Sequence, residues 1–160
     1  MIPDPARGTT ALITFQQRLK AHIDIARIDH WTKNVFVLPG VLIPFTFQPV
    51  FSEAFFYRVV LGMLAVCLIA SSNYVINEIL DAPFDRLHPV KNTRPAAIGL
   101  VHLPSGYVQW LVLMAFGMTL ALYVSKAFAI TVFALWVMGC IYNLNYARKS
   151  LRRRLFVGAA

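Results

Sequence analysis

The densest group of polar side chains lies between residues 77 and 85, directly after a long apolar run. Three of the seven acidic residues fall there, Glu78, Asp81 and Asp85. Asn77, Asp81 and Asp85 are spaced four apart, which would place them on one stripe of a helix. Because like charges on one stripe repel, we expect a cation between them. Ligands that are all oxygen suit Mg²⁺, which is commonly held by one or two carboxylates and substrate phosphates.

Basic side chains follow this acidic stripe at once. They are Arg86, His88, Lys91 and Arg94. Arg and Lys clamp phosphate oxygens, so the combination indicates a site for a diphosphate–Mg²⁺ complex. An ordinary loop in which acids and bases pair is the alternative that spacing leaves open. Pro83 cannot donate to the carbonyl of Ile79, so it is expected to kink or end the helix and to place Asp85 on a separate turn.

The composition is that of a membrane protein. The chain is 58% hydrophobic and only 14% charged, whereas about a quarter of a typical soluble domain is charged. We predict an all-α fold, a polytopic membrane helix bundle with about four transmembrane helices. The predicted spans are residues 35–51, 55–80, 107–125 and 127–146, and a polar motif loop, 81–105, joins the second to the third. Long connections of this kind are often functional.

Lys and Arg are concentrated in three places along the chain: before the first span, in the loop 81–105 and in the basic tail 148–160. By the positive-inside rule, both termini and the motif loop should face the cytoplasm. This distribution accounts for the net charge of +8 without a nucleic-acid partner. Residues 1–33 would form a cytoplasmic segment with an interfacial helix or a partly helical tail. Residues 34–147 would form the membrane domain.

Small and polar residues inside the spans are predicted to join helices. Gly117 and Gly139 suit close helix packing. Ser71, Ser72 and Asn73 lie within the second predicted span, where they are expected to form hydrogen bonds between helices.

The acidic stripe and its basic loop resemble the first signature of the UbiA superfamily of intramembrane prenyltransferases. That signature reads N-D-x-x-D-x-x-x-D, then a basic loop with R-P and a Gly. This chain has Asn77, Glu78, Asp81, Asp85, Arg94, Pro95 and Gly99 in those places. Glu78 stands where the family usually has Asp. Residues 88–95 and 27–34 are similar to the decaprenyl-phosphate phosphoribosyltransferase-like branch, which transfers phosphoribose onto polyprenyl phosphate.

This resemblance implies site residues, a cofactor and substrates. Asp81 and Asp85 would be catalytic and, with Asn77 and Glu78, would hold Mg²⁺. The diphosphate substrate would be bound by Lys33, Asn34, Asn77, Arg86, His88, Lys91 and Arg94. The partners would be a polyprenyl lipid and either phosphoribosyl pyrophosphate or a prenyl diphosphate. The location would be the bacterial plasma membrane.

The family has further spans and a second Asp-containing signature, but no acidic residue follows Asp85 in this chain. We therefore expect a truncated or frame-shifted copy that is inactive unless a complementing chain or homo-oligomer supplies the second cluster. Prenylation of an aromatic acceptor is the alternative within the family. A four-span transporter or assembly protein is the alternative outside it. Transporters place ionisable groups deep within their spans, and almost none occur there in this chain, which favours an enzyme.

Overall fold

The computed structural model describes residues 14–47 and 52–157, without the side chains of residues 44, 45 and 146–157. Every regular element in these ranges is helical, which confirms the predicted all-α membrane bundle. The α-helices are α1 (Phe15–Ile25), α2 (Leu38–Phe47), α3 (Glu53–Asp85), α4 (Leu103–Val124) and α5 (Lys126–Val157). Two 3₁₀ segments, Ile28–Val37 and Lys91–Thr93, complete the set.

In the described part of the chain, three helical segments are long and apolar enough to cross a membrane: α3, α4 and Lys126–Asn145 of α5. They agree with three of the four predicted spans. The segment predicted as a first span, residues 35–51, instead combines the end of a 3₁₀ segment with α2. Helix α2 accounts for 10 residues of this predicted span. Residues 48–51 of this predicted span lie outside the described residues.

Helix α3 has 33 residues and contacts α1, the first 3₁₀ segment, α4 and α5. The predicted packing role of two glycines is confirmed. A Cβ atom on Gly117 would lie 2.9 Å from Ile69 Cγ1 and 3.2 Å from the carbonyl of Ala65, and one on Gly139 would overlap the Asn73 side chain. Both glycines therefore allow a neighbouring helix to approach α3 closely.

Polar side chains in the middle of α3 join it to the other long helices. Ser72 Oγ donates to the carbonyl of Trp110 at 3.0 Å and accepts from Trp136 Nε1 at 3.1 Å. Asn143 Nδ2 donates to the carbonyl of Asn73 at 3.2 Å. Polar groups in hydrocarbon need partners within the protein. The predicted interhelical hydrogen bonding is thus confirmed, and it connects α3 with α4 and α5.

A buried apolar cluster lies beside the last turns of α3. Its members come from α1, from α3 and from the connection that follows: Ala21, Ile25, Ala26, Val75, Ile79, Ala82, Ala96 and Val101. Burial of such side chains stabilises the packing by roughly 25 cal/mol per Å² of apolar area. The cluster therefore holds α1 and the connection against the acidic end of α3.

Helix α3 continues through Pro83 and ends at Asp85, so the expectation that Asp85 lies on a separate turn is wrong. Pro83 is only two residues from the helix end, and its missing donor costs one bond, to Ile79. The next turn still closes, because the amide of Arg86 donates to the carbonyl of Ala82 at 3.2 Å. The acidic stripe is therefore part of one continuous helix.

Candidate functional site

Four of the predicted site residues border one cavity of about 220 Å³ at the end of α3. Asn77 and Asp81 lie one turn apart on α3, Lys91 and Arg94 belong to the connection between α3 and α4, and Tyr142 of α5 completes the lining. We call this space the polar cavity. It brings a carboxylate and an amide opposite an ammonium and a guanidinium, which are groups that bind a metal ion and phosphate oxygens respectively.

Arg94 lies between two of the carboxylates. Its Nη1 atom lies 2.7 Å from Asp85 Oδ2 and 3.8 Å from Glu78 Oε2. Both carboxylate residues are buried, at 5% and 4% relative exposure respectively. Of the three carboxylates in the motif, two are therefore paired with an arginine of the same chain, and Asp81 is the one that lines the polar cavity.

Arg27 reaches the same group of charges from the turn after α1. Its Nη2 atom lies 3.8 Å from Glu78 Oε2, and its Cζ atom lies 6.0 Å from the centroid of the Tyr74 ring. Local spacing could not reveal this contact, because Arg27 is distant from the acidic stripe along the chain. The one available signal was its position in the segment 27–34 that carries the family resemblance.

Two residues predicted to bind the diphosphate instead shape the connection after α3. Arg86 Nε donates to the carbonyl of Ala97 at 2.9 Å. His88 Nδ1 accepts from the amides of Val90 and Lys91 at 3.2 and 3.3 Å. Neither side chain lines the polar cavity. Their geometry suits holding the loop that presents Lys91.

A second cavity of about 490 Å³ adjoins the polar cavity and shares Asn77 and Tyr142 with it. Amides and phenols on its wall come from Asn34, Asn73, Tyr74, Asn77, Tyr142 and Asn143, and the rest of the wall is Val37, Val66, Ala70, Leu135 and Gly139. We call it the asparagine cavity. Asn34, which the resemblance assigned to the diphosphate, lines this second cavity and not the polar cavity, and its Nδ2 donates to Cys67 Sγ at 3.2 Å. Lys33 is exposed and lines neither cavity.

The oxygen donors in the polar cavity suit a hard cation that takes its other ligands from a substrate. In the described ranges, no three His, Cys, Asp or Glu side chains form a metal-binding group. Asp81 and Asn77 nevertheless offer two oxygen donors, one turn apart, on the wall of the polar cavity. Mg²⁺ is usually bound in this way, with few protein ligands and the rest from phosphate and water. Glu78 and Asp85 were also predicted to hold the metal ion. In the structure, their carboxylates are paired with arginines.

Comparison with known proteins adds independent information. The family model described as the UbiA prenyltransferase family matches residues 34–160. Protein y4nM of Sinorhizobium fredii is 30% identical over 83% of this chain. A decaprenyl-phosphate phosphoribosyltransferase of Corynebacterium glutamicum is 35% identical over 62% of it. Nodulation protein NoeC of Azorhizobium caulinodans is 32% identical over 69% of it. No solved structure matches the chain at a significant level.

These matches cover much of this chain but little of the relatives. They span 25% of y4nM, 27% of the phosphoribosyltransferase and 35% of NoeC. The family match includes the acidic stripe, the basic connection and the three long helices that position them. The chain belongs to the UbiA prenyltransferase family.

Proposed function

We propose that this chain forms the Mg²⁺-dependent, diphosphate-binding half-site of a UbiA-type transferase that acts on a polyprenyl substrate. The observation that carries the proposal is the shared cavity of Asn77, Asp81, Lys91 and Arg94. A diphosphate carries several negative charges, and binding it needs cationic donors that are held in place. The pairing of Arg94 with Asp85 at 2.7 Å supplies such a fixed donor.

Each side chain at the polar cavity then has its own role. Lys91 and Arg94 bind phosphate oxygens, and Asp85 orients the Arg94 guanidinium. Asp81 and Asn77 hold Mg²⁺. The bound ion supplies neutralisation of the charge on the departing diphosphate. The fixed positions of these groups matter because donors that are already aligned need little reorganisation during reaction.

Polar groups on the otherwise apolar wall of the asparagine cavity support a sugar as the transferred group. Amides and phenols form hydrogen bonds with hydroxyl groups, and Asn34, Asn73, Tyr74 and Asn143 line this cavity beside the polar one. Phosphoribosyl pyrophosphate carries a ribose next to its diphosphate and matches the two cavities in that order. An oxygen of polyprenyl phosphate would form a bond to the sugar carbon as the bond to the diphosphate breaks. The relatives named decaprenyl-phosphate phosphoribosyltransferase support this assignment over prenylation of an aromatic acceptor.

The same proposal places the polar cavity at the cytoplasmic surface of a bacterial plasma membrane. The supporting observation is the concentration of Lys and Arg before α2, in the connection after α3 and after residue 147.

Binding measurements with the full chain in lipid nanodiscs test the proposal. We expect inorganic pyrophosphate and phosphoribosyl pyrophosphate to bind only with Mg²⁺, the second more tightly. Asp81→Asn, which preserves side-chain size, should weaken both by more than about tenfold because one carboxylate ligand is lost. Glu53→Gln removes an acidic charge from the opposite end of the same helix and should leave binding unchanged.

Two results would count against parts of this proposal. If Asp81→Asn binds pyrophosphate as tightly as the original chain, the half-site assignment fails. If a short prenyl diphosphate binds and phosphoribosyl pyrophosphate gains nothing over pyrophosphate, the sugar assignment fails and prenyl transfer is favoured.

A further inference from the structure

Arg27 adopts a backbone conformation that is unusual for its residue type. With φ 49° and ψ 51° it lies in the left-handed region, and it is the one non-glycine residue with positive φ in the described ranges. Ala26 is the C-cap of α1. Arg27 occupies the next position, at which helices commonly use glycine. Because glycine would fit this turn with less strain, the side chain of Arg27 must supply an advantage through its contacts.

Those contacts lead to the polar cavity through Glu78. The Glu78 carboxylate is buried, and guanidinium groups of Arg27 and Arg94 each lie 3.8 Å from the same oxygen, Oε2. Removing one guanidinium from a buried, ion-paired carboxylate is unfavourable, because the remaining partner must then neutralise it alone. Without Arg27, Arg94 would have to neutralise both Glu78 and Asp85 while also binding a phosphate.

We infer that Arg27 is a positioning residue which neutralises Glu78 and thereby leaves Arg94 available for the diphosphate. This inference rests on the proposed function. The ion pairs at the site join the carboxylates of Glu78 and Asp85 to the guanidiniums of Arg27 and Arg94. Removing Arg27 leaves Arg94 to neutralise both carboxylates, and an unbalanced negative charge beside the polar cavity repels an incoming anion.

Packing of α1 fixes the origin of the Arg27 side chain. Ala21, Ile25 and Ala26 belong to a buried cluster. The same cluster contains Ala82, at the acidic end of α3, and Ala96, in the connection that follows. The packing of α1 therefore sets the position of Arg27 relative to Glu78. Arg27 contacts Glu78, and Glu78 contacts Arg94.

The test measures dissociation constants for inorganic pyrophosphate with Mg²⁺, using the full chain in nanodiscs. Arg27→Gln should weaken binding about tenfold, as expected for a buried charge left with one partner. Adding Glu78→Gln to that variant removes the excess charge and should restore binding to within about threefold of the original. Arg18→Gln removes an exposed arginine of α1 and should have no effect.

Rescue by the second substitution separates positioning through Glu78 from a purely structural role of Arg27. A double variant that binds as weakly as Arg27→Gln would overturn the inference, and so would an Arg27→Gln variant with unchanged affinity. If Arg27→Gln does not fold, as judged from its melting temperature, Arg27→Gly fits the left-handed turn and replaces it in both arms.

Asp81→Asn, measured in parallel, distinguishes the two failures. If Asp81→Asn loses binding while Arg27→Gln keeps it, only the inference about Arg27 fails. If the original chain or Asp81→Asn behaves against expectation, the proposed function fails and this inference falls with it.

Discussion

The guanidinium of Arg94 donates to the carboxylate of Asp85 at 2.7 Å, across a separation of nine residues. Asp85 is the last residue of α3, and Arg94 follows the short 3₁₀ turn of the connection. The ion pair therefore closes the loop that carries Lys91 and at the same time directs Arg94 toward the polar cavity. A short charge-assisted bond of this kind limits the side chain to few rotamers, which is the preorganisation that phosphate binding needs.

Breaking this ion pair should destabilise the protein. Asp85→Asn preserves shape but removes the charge, and we expect the free energy of unfolding to fall by about 2 kcal/mol, as for other hydrogen bonds to charged groups. Denaturant titration in mixed micelles measures the change. Asp24→Asn, at an exposed position of α1, is the matched control and should be neutral. Equal effects of the two substitutions would contradict the role given to the pair.

The close approach of α3 and α4 depends on Gly117. Gly117→Ala would place a Cβ atom 2.9 Å from Ile69 Cγ1 and 3.2 Å from the carbonyl oxygen of Ala65. Overpacking of this kind costs about 1–3 kcal/mol, so the melting temperature should fall clearly. Gly40→Ala is the control, because a Cβ there meets nothing within 4 Å. The packing argument fails if Gly117→Ala melts at the same temperature as Gly40→Ala.

The spans could be predicted from hydrophobic runs because a helix in lipid satisfies its own backbone. This logic located α3, α4 and the apolar part of α5. The other predicted span, residues 35–51, is only partly described: the end of a 3₁₀ segment is followed by α2, which stays helical through Pro39, Gly40 and Pro44.

Local spacing and the family resemblance both pointed to residues that line the polar cavity. The four-residue interval between Asn77 and Asp81 places both on one helical face, and both line the polar cavity. The partners of Glu78 were not predictable, since they depend on how α1 and the connection fold back on α3. The family resemblance therefore assigned a metal to Glu78, a carboxylate that the tertiary structure pairs with Arg27 and Arg94.

Gly99 gives a test of the connection that is independent of its charges. Its φ of +82° lies in the left-handed region, and a Cβ there would meet nothing within 4 Å, so any effect of substitution comes from the backbone. Gly99→Ala should lower the free energy of unfolding by about 1–2 kcal/mol, whereas Gly99→Asn should cost less because Asn tolerates this region. Chemical denaturation of both variants checks the order. If Asn is as harmful as Ala, the conformational explanation is wrong.

Lys91 and Lys33 distinguish the diphosphate site assigned from the structure from the site assigned from sequence alone. Lys91 lines the polar cavity, whereas Lys33 is exposed and borders neither cavity, although sequence resemblance gave both a role in binding the diphosphate. Lys91→Gln should weaken pyrophosphate binding about tenfold, the loss expected for one charge-assisted hydrogen bond. Lys33→Gln should change it less than about twofold, in line with a screened, exposed charge.

Titration calorimetry at two salt concentrations measures both lysine variants. The Lys91 variant should also lose part of the salt dependence, because that cation contributes directly to attraction of the anion. Should Lys33→Gln prove the more damaging of the two, the phosphate would bind nearer the first 3₁₀ segment than the polar cavity. The roles given to Lys91 and Arg94 would then have to be reassigned.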